Sequence, residues 1–251
     1  MHKIKIAIIG GSGLSHLKGL ENIRREVGRT PYGDPSAPLT IGTLGDNEVI
    51  FLPRHGMSHQ IPPHQVNYRA NIWVLKSMGV ERVYAVGATG SIDPALKPRD
   101  IVIPTQLIDY TYAREQTFYD GSNATVEHID FSHPYSEPLR QQLIRAAASV
   151  GIQAHAAGVY AATQGPRLET AAEIDRIDRD GGTIVGMTGM PEAALARELD
   201  MQYALISLVV NPAAGRSGSA VISMQEIVAH LGGGMKDVCK VFEAMLTTPT
   251  P

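Results

Sequence analysis

Ile4-Lys5-Ile6-Ala7-Ile8-Ile9 runs straight into Gly10-Gly11-Ser12-Gly13-Leu14. A short β-branched run that stops at glycines predicts a buried strand entering a tight turn. The pattern recurs outward from it. Strands are expected near residues 48–52, 82–86, 100–104, 155–161 and 204–210. Apolar residues at helical spacing predict helices over 67–78, 137–150, 170–178, 191–199 and 223–231. Strands alternating with helices predict an α/β fold: one domain over 1–251, with a central mixed sheet surrounded by helices. Pro and Gly punctuate turns, and no repeat or linker interrupts the chain. Only the tail, 247–251, is expected to be disordered.

Composition narrows the function. The chain has 251 residues, a net charge of −3 and a single cysteine, Cys239. At about 150 residues per domain it is long enough to bury a core without metal or disulfide support. One cysteine excludes an intrachain disulfide framework and a multi-cysteine zinc cluster, and suits a reducing compartment. Slight acidity argues against a nucleic-acid surface. The apolar run at the N-terminus is too short to span a membrane and lacks a signal-peptide cleavage pattern. A cytoplasmic protein without nucleic-acid or membrane partners is expected.

Chemistry-bearing residues gather where strands are expected to end. Gly10-Gly11-Ser12-Gly13 offers backbone N–H groups and a hydroxyl to an anion. The third glycine of the dinucleotide fingerprint is absent, since His16 stands there, and so is the P-loop lysine. Pro53-Arg54-His55-Gly56 places a guanidinium suited to phosphate or carboxylate after the second apolar strand. His55, His59 and His64 lack the carboxylate or cysteine that would complete a metal spacing, so no metal is expected. Gly87-Ala88-Thr89-Gly90-Ser91, Gln164-Gly165-Pro166-Arg167-Leu168-Glu169-Thr170, Gly186-Met187-Thr188-Gly189-Met190-Pro191-Glu192 and Val210-Asn211-Pro212-Ala213 repeat the form. Each alone also reads as an ordinary turn. Together they describe a ligand site at strand ends.

In the order of these loops, and in Gln65-Val66-Asn67-Tyr68-Arg69-Ala70-Asn71-Ile72-Trp73, the chain resembles the trimeric purine nucleoside phosphorylase and methylthioadenosine phosphorylase family from about residue 4 to residue 230. The resemblance implies a sheet closing into a distorted barrel, a homotrimer or dimer of trimers, and phosphorolysis of a nucleoside. No cofactor is implied beyond inorganic phosphate as co-substrate. It places phosphate at Ser12, Arg54, His55, the Ala88 backbone and Thr188. Where the methylthioadenosine branch has a threonine, Gly87 leaves one hydroxyl missing. Met187 is implied under the ribose, and Leu168, Glu169, Asn211 and Ala213 around the base. His133 is implied to reach a neighbouring subunit's site.

The base and sugar ends point to different branches. The adenine-specific branch has a serine at position 169 and aspartates at 211 and 213, whereas the inosine and guanosine branch has the glutamate and asparagine found here. A carboxylate at Glu169 accepts the N1–H of a 6-oxopurine but faces the bare N1 lone pair of adenine, and an amide at Asn211 donates to O6 or N7. Around the 5′ position the resemblance implies Met224, Ile227 and Val228, an apolar set that suits a methylthio group better than a hydroxyl. The expected substrate is 5′-methylthioinosine, with Asn211, Glu169 and His55 as the catalytic set. Methylthioadenosine and inosine or guanosine are the alternative substrates. A non-catalytic nucleoside- or anion-binding module is the alternative outside enzymes.

Overall fold

In the computed structural model, which describes residues 5–11, 17–121, 125–218 and 221–247, the opening run forms β1 (Lys5–Gly10) inside the sheet. Its neighbours are β4 (Asn47–Pro53) and β5 (Arg82–Ser91), both parallel to it. A parallel strand covered on both faces needs apolar side chains at consecutive positions, hence the unbroken run. Alternation along β1 feeds two cores. Ala7 and Ile9 join Val83, Ala85, Leu205 and Val209 on one face, while Ile6 and Ile8 join Tyr84, Val86, Ile206 and Leu208 on the other.

The remaining strands are β2 (Glu21–Glu26), β3 (Leu39–Leu44), β6 (Ile101–Val102), β7 (Gln106–Asp109), β8 (Val159–Ala162), β9 (Ile184–Gly186) and β10 (Gln202–Pro212). They form one mixed ten-stranded sheet in the order β2-β3-β4-β1-β5-β9-β8-β7. β10 pairs with β5 in parallel and with β6 in antiparallel. β5 is the branch point. Its first half has β1 on one edge, and its last two residues, Gly90 and Ser91, pair there with β9 instead. The expected α/β class with a central mixed sheet is what forms.

Helices α1 (Tyr68–Ser77) and α4 (Glu192–Glu198) contribute to the first core, and α2 (Glu137–Ser149) and α5 (Met224–Thr247) to the second. Helix α3 (Ala171–Arg179) sends Ile174 and Ile177 into a small third cluster. Starts follow local chemistry. Asn67 accepts from the Ala70 N–H at 3.0 Å, and Thr170 with Glu173 makes a reciprocal capping box.

Some expected boundaries move. The last helix runs to Thr247, so that residue of the expected tail is helical; residues 248–251 lie outside the described residues. The strand expected over 100–104 shrinks to Ile101–Val102, and that over 155–161 begins at Val159, with His155 making an isolated bridge to Val102. Strand β2, Glu-Asn-Ile-Arg-Arg-Glu, is exposed at every position, so no apolar alternation announces it.

Candidate active site

The parallel strands β1, β4, β5 and β10 bring their carboxyl ends together, and β9 crosses the end of β5. This crossing carries the Gly186–Thr188 segment to the exit of β5. At the end of β4 the Arg54 N–H donates to the Gly10 carbonyl at 3.0 Å, fixing the two exits side by side.

Arg54 is 2% exposed and its fork is already occupied. Nε and Nη2 donate to the two oxygens of Glu192, at 2.7 and 2.8 Å. Nη1 donates to the Val86 carbonyl at 2.8 Å, and Nη2 also to that of Ile9 at 3.4 Å. Glu192, wholly buried at the start of α4, accepts a further bond from the Tyr203 hydroxyl at 2.8 Å. Burial works against the Arg54 charge, but the charge and hydrogen bonds of Glu192 more than offset it and push the pKa up. A guanidinium has five N–H donors. Among the described residues four are used, so Arg54 presents a single Nη1 hydrogen to an anion, not the open fork its sequence setting suggests.

His55, half-buried beside it, places Nδ1 2.8 Å from the Ile61 carbonyl. A carbonyl only accepts, so Nδ1 carries the hydrogen and Nε2 is left with a lone pair. Burial first, then the Arg54 charge, lowers its pKa from 6.5 to about 4. At neutral pH the ring therefore accepts a hydrogen bond and carries no charge. A depressed pKa gives stability that is complete above pH 6.5 and falls away as pH drops toward 4, because the unfolded chain protonates first. Between pH 7.5 and 5 this accounts for about 2 kcal/mol of lost stability. His55→Asn is expected to flatten urea-unfolding free energy against pH by that amount; an unchanged slope would contradict the burial argument.

Thr188 is buried, and its backbone N–H donates to the Tyr160 hydroxyl at 3.1 Å. A Cβ placed on Gly87 would stand 3.6 Å from Thr188 Oγ1, so the β5 and β9 exits meet at these two residues. Ala88, next on β5, is exposed. Ser12 lies outside the described residues.

Glu169 is held from below, accepting from Thr163 Oγ1 at 2.6 Å. A register shift between Val209 and Asn211 bulges β10 just where its polar residue appears. Bulges re-aim side chains in this way. Asn211 Nδ2 donates to the Pro212 carbonyl at 2.6 Å, keeping one N–H and the amide oxygen for other partners. The loop after Asn211 closes on the start of α3, where a Gly215 Cβ would stand 3.0 Å from Ala171 Cβ. Leu168 is 39% exposed. Met187 overlies Gly165, where an added Cβ would fall 2.4 Å from its sulfur. Ala213, expected at the base, is instead packed with Ile92, Ala161, Ile174, Ile177 and Val185. A crevice of about 210 Å³ opens between Tyr110, Tyr112, Gln164 and Arg176 and reaches Glu169, but Asn211 and Met187 do not line it.

Two supporting residues are not singled out by sequence. Glu192 stands at the end of the quoted Gly186 stretch, and only its burial opposite Arg54 reveals its role. Arg114 donates Nη1 to the carbonyls of Met187 and Met190, at 2.8 and 2.6 Å, and Nη2 to those of Thr163 and Gln164, at 3.1 and 2.8 Å. It fastens the exits of β8 and β9 together, and an isolated arginine in a tyrosine-rich loop gives no signal of this.

Of the residues expected at the sugar end, Met224 and Val228 stand one helical turn apart at the start of α5, 61% and 65% exposed, while Ile227 packs partly against the second core. His133 is exposed, and its carbonyl accepts from Arg197 at 2.6 Å. Among the described residues no group of three or more His, Cys, Asp or Glu is placed to hold a metal, and no helix is long and apolar enough to cross a membrane.

Residues 5–247 match the profile of the phosphorylase superfamily. The chain belongs to this family. It is 57% identical over 233 residues to a probable S-methyl-5′-thioinosine phosphorylase of Pseudomonas syringae pv. tomato, covering 92% of this chain and 94% of the relative. It is 47% identical over 247 residues to a 6-oxopurine nucleoside phosphorylase of Pyrococcus furiosus, covering 96% and 92%. Among solved structures, methylthioadenosine phosphorylase of Schistosoma mansoni with adenine superposes with a TM-score of 0.91 at 33% identity, over 97% of this chain and 91% of that one.

Proposed function

We propose that this phosphorylase cleaves S-methyl-5′-thioinosine with inorganic phosphate, giving hypoxanthine and 5-methylthioribose 1-phosphate. The observation that carries the reading is the placing of two polar side chains at neighbouring exits: Glu169 braced by Thr163, and Asn211 at the β10 bulge, on loops that close on each other at Gly215 and Ala171. The name and 57% identity of the Pseudomonas relative support it.

In this reading phosphate lies against Ser12, the free Nη1 hydrogen of Arg54, His55, the Ala88 backbone and Thr188. A phosphate oxygen forms a bond to C1′ as the bond from C1′ to the purine nitrogen breaks, its electron pair leaving with the base. Positive charge building on the ribose is stabilised by the phosphate dianion beside it. Neutral His55 accepts a hydrogen bond through Nε2 and so suits a phosphate or ribose hydroxyl. Glu169 accepts N1–H and Asn211 donates to O6 or N7 of the departing purine. Asn211 keeps its proton at neutral pH, so it acts by hydrogen bonding and not by proton transfer. The reading includes a homotrimer, or a dimer of trimers, in which His133 completes a neighbour's site.

A second reading, an inosine or guanosine phosphorylase, keeps the same base contacts and is favoured by the exposure of Met224 and Val228 in the single chain, together with the Pyrococcus relative. Methylthioinosine, methylthioadenosine, inosine and adenosine, each with and without phosphate, separate the readings. Methylthioinosine is expected to exceed inosine in kcat/KM by roughly 10- to 200-fold, since a buried methyl group and an unpaired hydroxyl differ by about 1–3 kcal/mol. Val228→His adds a donor and is expected to narrow that ratio. A wild-type preference for inosine would transfer the assignment to the second reading, and purine release independent of phosphate would remove both.

A further inference from the structure

Ser207 sits inside β10, fully buried, and its Oγ has no hydrogen-bond partner among the described residues. Buried hydroxyls are ordinarily paired, so this one calls for an explanation. Its register supplies one. Ser207 lies between Val102 on β6 and Gly87 on β5. Paired residues of parallel strands project to the same face of the sheet. Leu205, two residues earlier on β10, confirms which face: its Cδ1 lies 3.9 Å from where a Gly87 Cβ would stand. The same absent Cβ would stand 3.6 Å from Thr188 Oγ1. The space a Gly87 side chain would fill is thus left open, with the Thr188 hydroxyl beside it, and the unpaired Ser207 stands on the neighbouring strand in register with Gly87 and on the same face of the sheet. The neighbouring residue, Val86, gives its carbonyl to Arg54 Nη1, whose second hydrogen remains free.

The geometry points to Ser207 as an anion-binding residue: its hydroxyl donates across the space left open at Gly87 to an oxygen of the bound phosphate, alongside Thr188 and Arg54. A phosphate oxygen is a pure acceptor in its ionised form, and a buried hydroxyl with no competing acceptor is free to turn its hydrogen toward it. The inference rests on the phosphate reading above, and deepens it by one residue.

Inorganic phosphate is the probe. Thermal unfolding of the full chain is followed with and without it, and KM is measured separately for phosphate and for methylthioinosine. Ser207→Ala is expected to shrink the phosphate-dependent rise in Tm and to raise the phosphate KM by roughly 10- to 100-fold, the range for one hydrogen bond to a charged group. The nucleoside KM stays within about twofold. Without phosphate the variant unfolds at the same temperature or higher, since an unpaired buried hydroxyl has been removed. A merely structural serine would show the reverse, a lower Tm with phosphate affinity intact. Gly87→Ser in the Ser207→Ala background returns a hydroxyl from position 87, where its Cβ meets only ordinary contacts, and is expected to recover much of the affinity. Unchanged phosphate affinity in Ser207→Ala overturns the proposal, as does a wild-type Tm indifferent to phosphate. Loss of phosphate binding in an enzyme that cleaves none of the four nucleosides would sustain Ser207 while removing the proposed reaction.

Discussion

Glu192→Ala is expected to destabilise the fold by about 3–5 kcal/mol, because it leaves a buried guanidinium without its counter-ion. Arg54 is 2% exposed and Glu192 wholly buried, and two hydrogen bonds of 2.7 and 2.8 Å join them. The remaining partners of Arg54, the Val86 and Ile9 carbonyls, neutralise no charge. Urea unfolding measures the loss. The pair's role is separable from its contribution to folding. Arg54→Met with Glu192→Leu removes both charges and fills the space, and such replacements are often neutral or stabilising. That double variant is expected to regain most of the stability lost in Glu192→Ala and none of the phosphorolysis. A loss below about 1 kcal/mol in Glu192→Ala would place the pair in the weak class of solvent-screened bridges, against its burial.

This pair also marks the limit of what sequence alone reveals. Arg54 is legible because a guanidinium just after an apolar strand suits an anion. Its partner is not, since Glu192 lies 138 positions away in the chain. The contact exists only because β9 crosses the end of β5 and delivers the start of α4 behind the site. A lone arginine reads as an open fork, and the folded one keeps a single hydrogen free. Arg114 fails to register because four of its partners are backbone carbonyls, which every residue possesses.

The sheet was legible where burial forces a pattern. β1 and β10, covered on both faces, show long apolar runs, broken in β10 by the buried Ser207. β2 shows none, being an exposed edge strand held by pairing with β3. β9 has three residues, too few for any period to register. The long α5 was foreshortened in sequence by Gly232-Gly233-Gly234, which normally stops a helix. Its continuation is explained at Gly234, where a Cβ would fall 2.4 Å from Leu208, so helix and sheet approach more closely than any side chain allows.

Selectivity for the base is expected to show the other large effect. Wild-type enzyme should favour methylthioinosine over methylthioadenosine by at least ~30-fold in kcat/KM, because one mismatched, desolvated polar pair costs about 2–4 kcal/mol. The reason lies in which atoms remain free. Thr163 occupies one oxygen of Glu169, leaving the other as an acceptor for N1–H and with nothing to donate to the bare N1 of adenine. Asn211 spends one hydrogen on the Pro212 carbonyl and keeps one for O6 or N7. Glu169→Ser with Asn211→Asp reverses both polarities, supplying a donor for N1 and an acceptor for the 6-amino group. The ratio is expected to collapse toward unity or invert, although Ala213, packed in the core, adds no second carboxylate. Thr163→Val separates bracing from recognition. It frees the carboxylate to swing and should weaken turnover of methylthioinosine without improving that of methylthioadenosine. Equal turnover of the two nucleosides by the wild type, or a ratio unmoved by the double change, would show that Glu169 and Asn211 do not read the base.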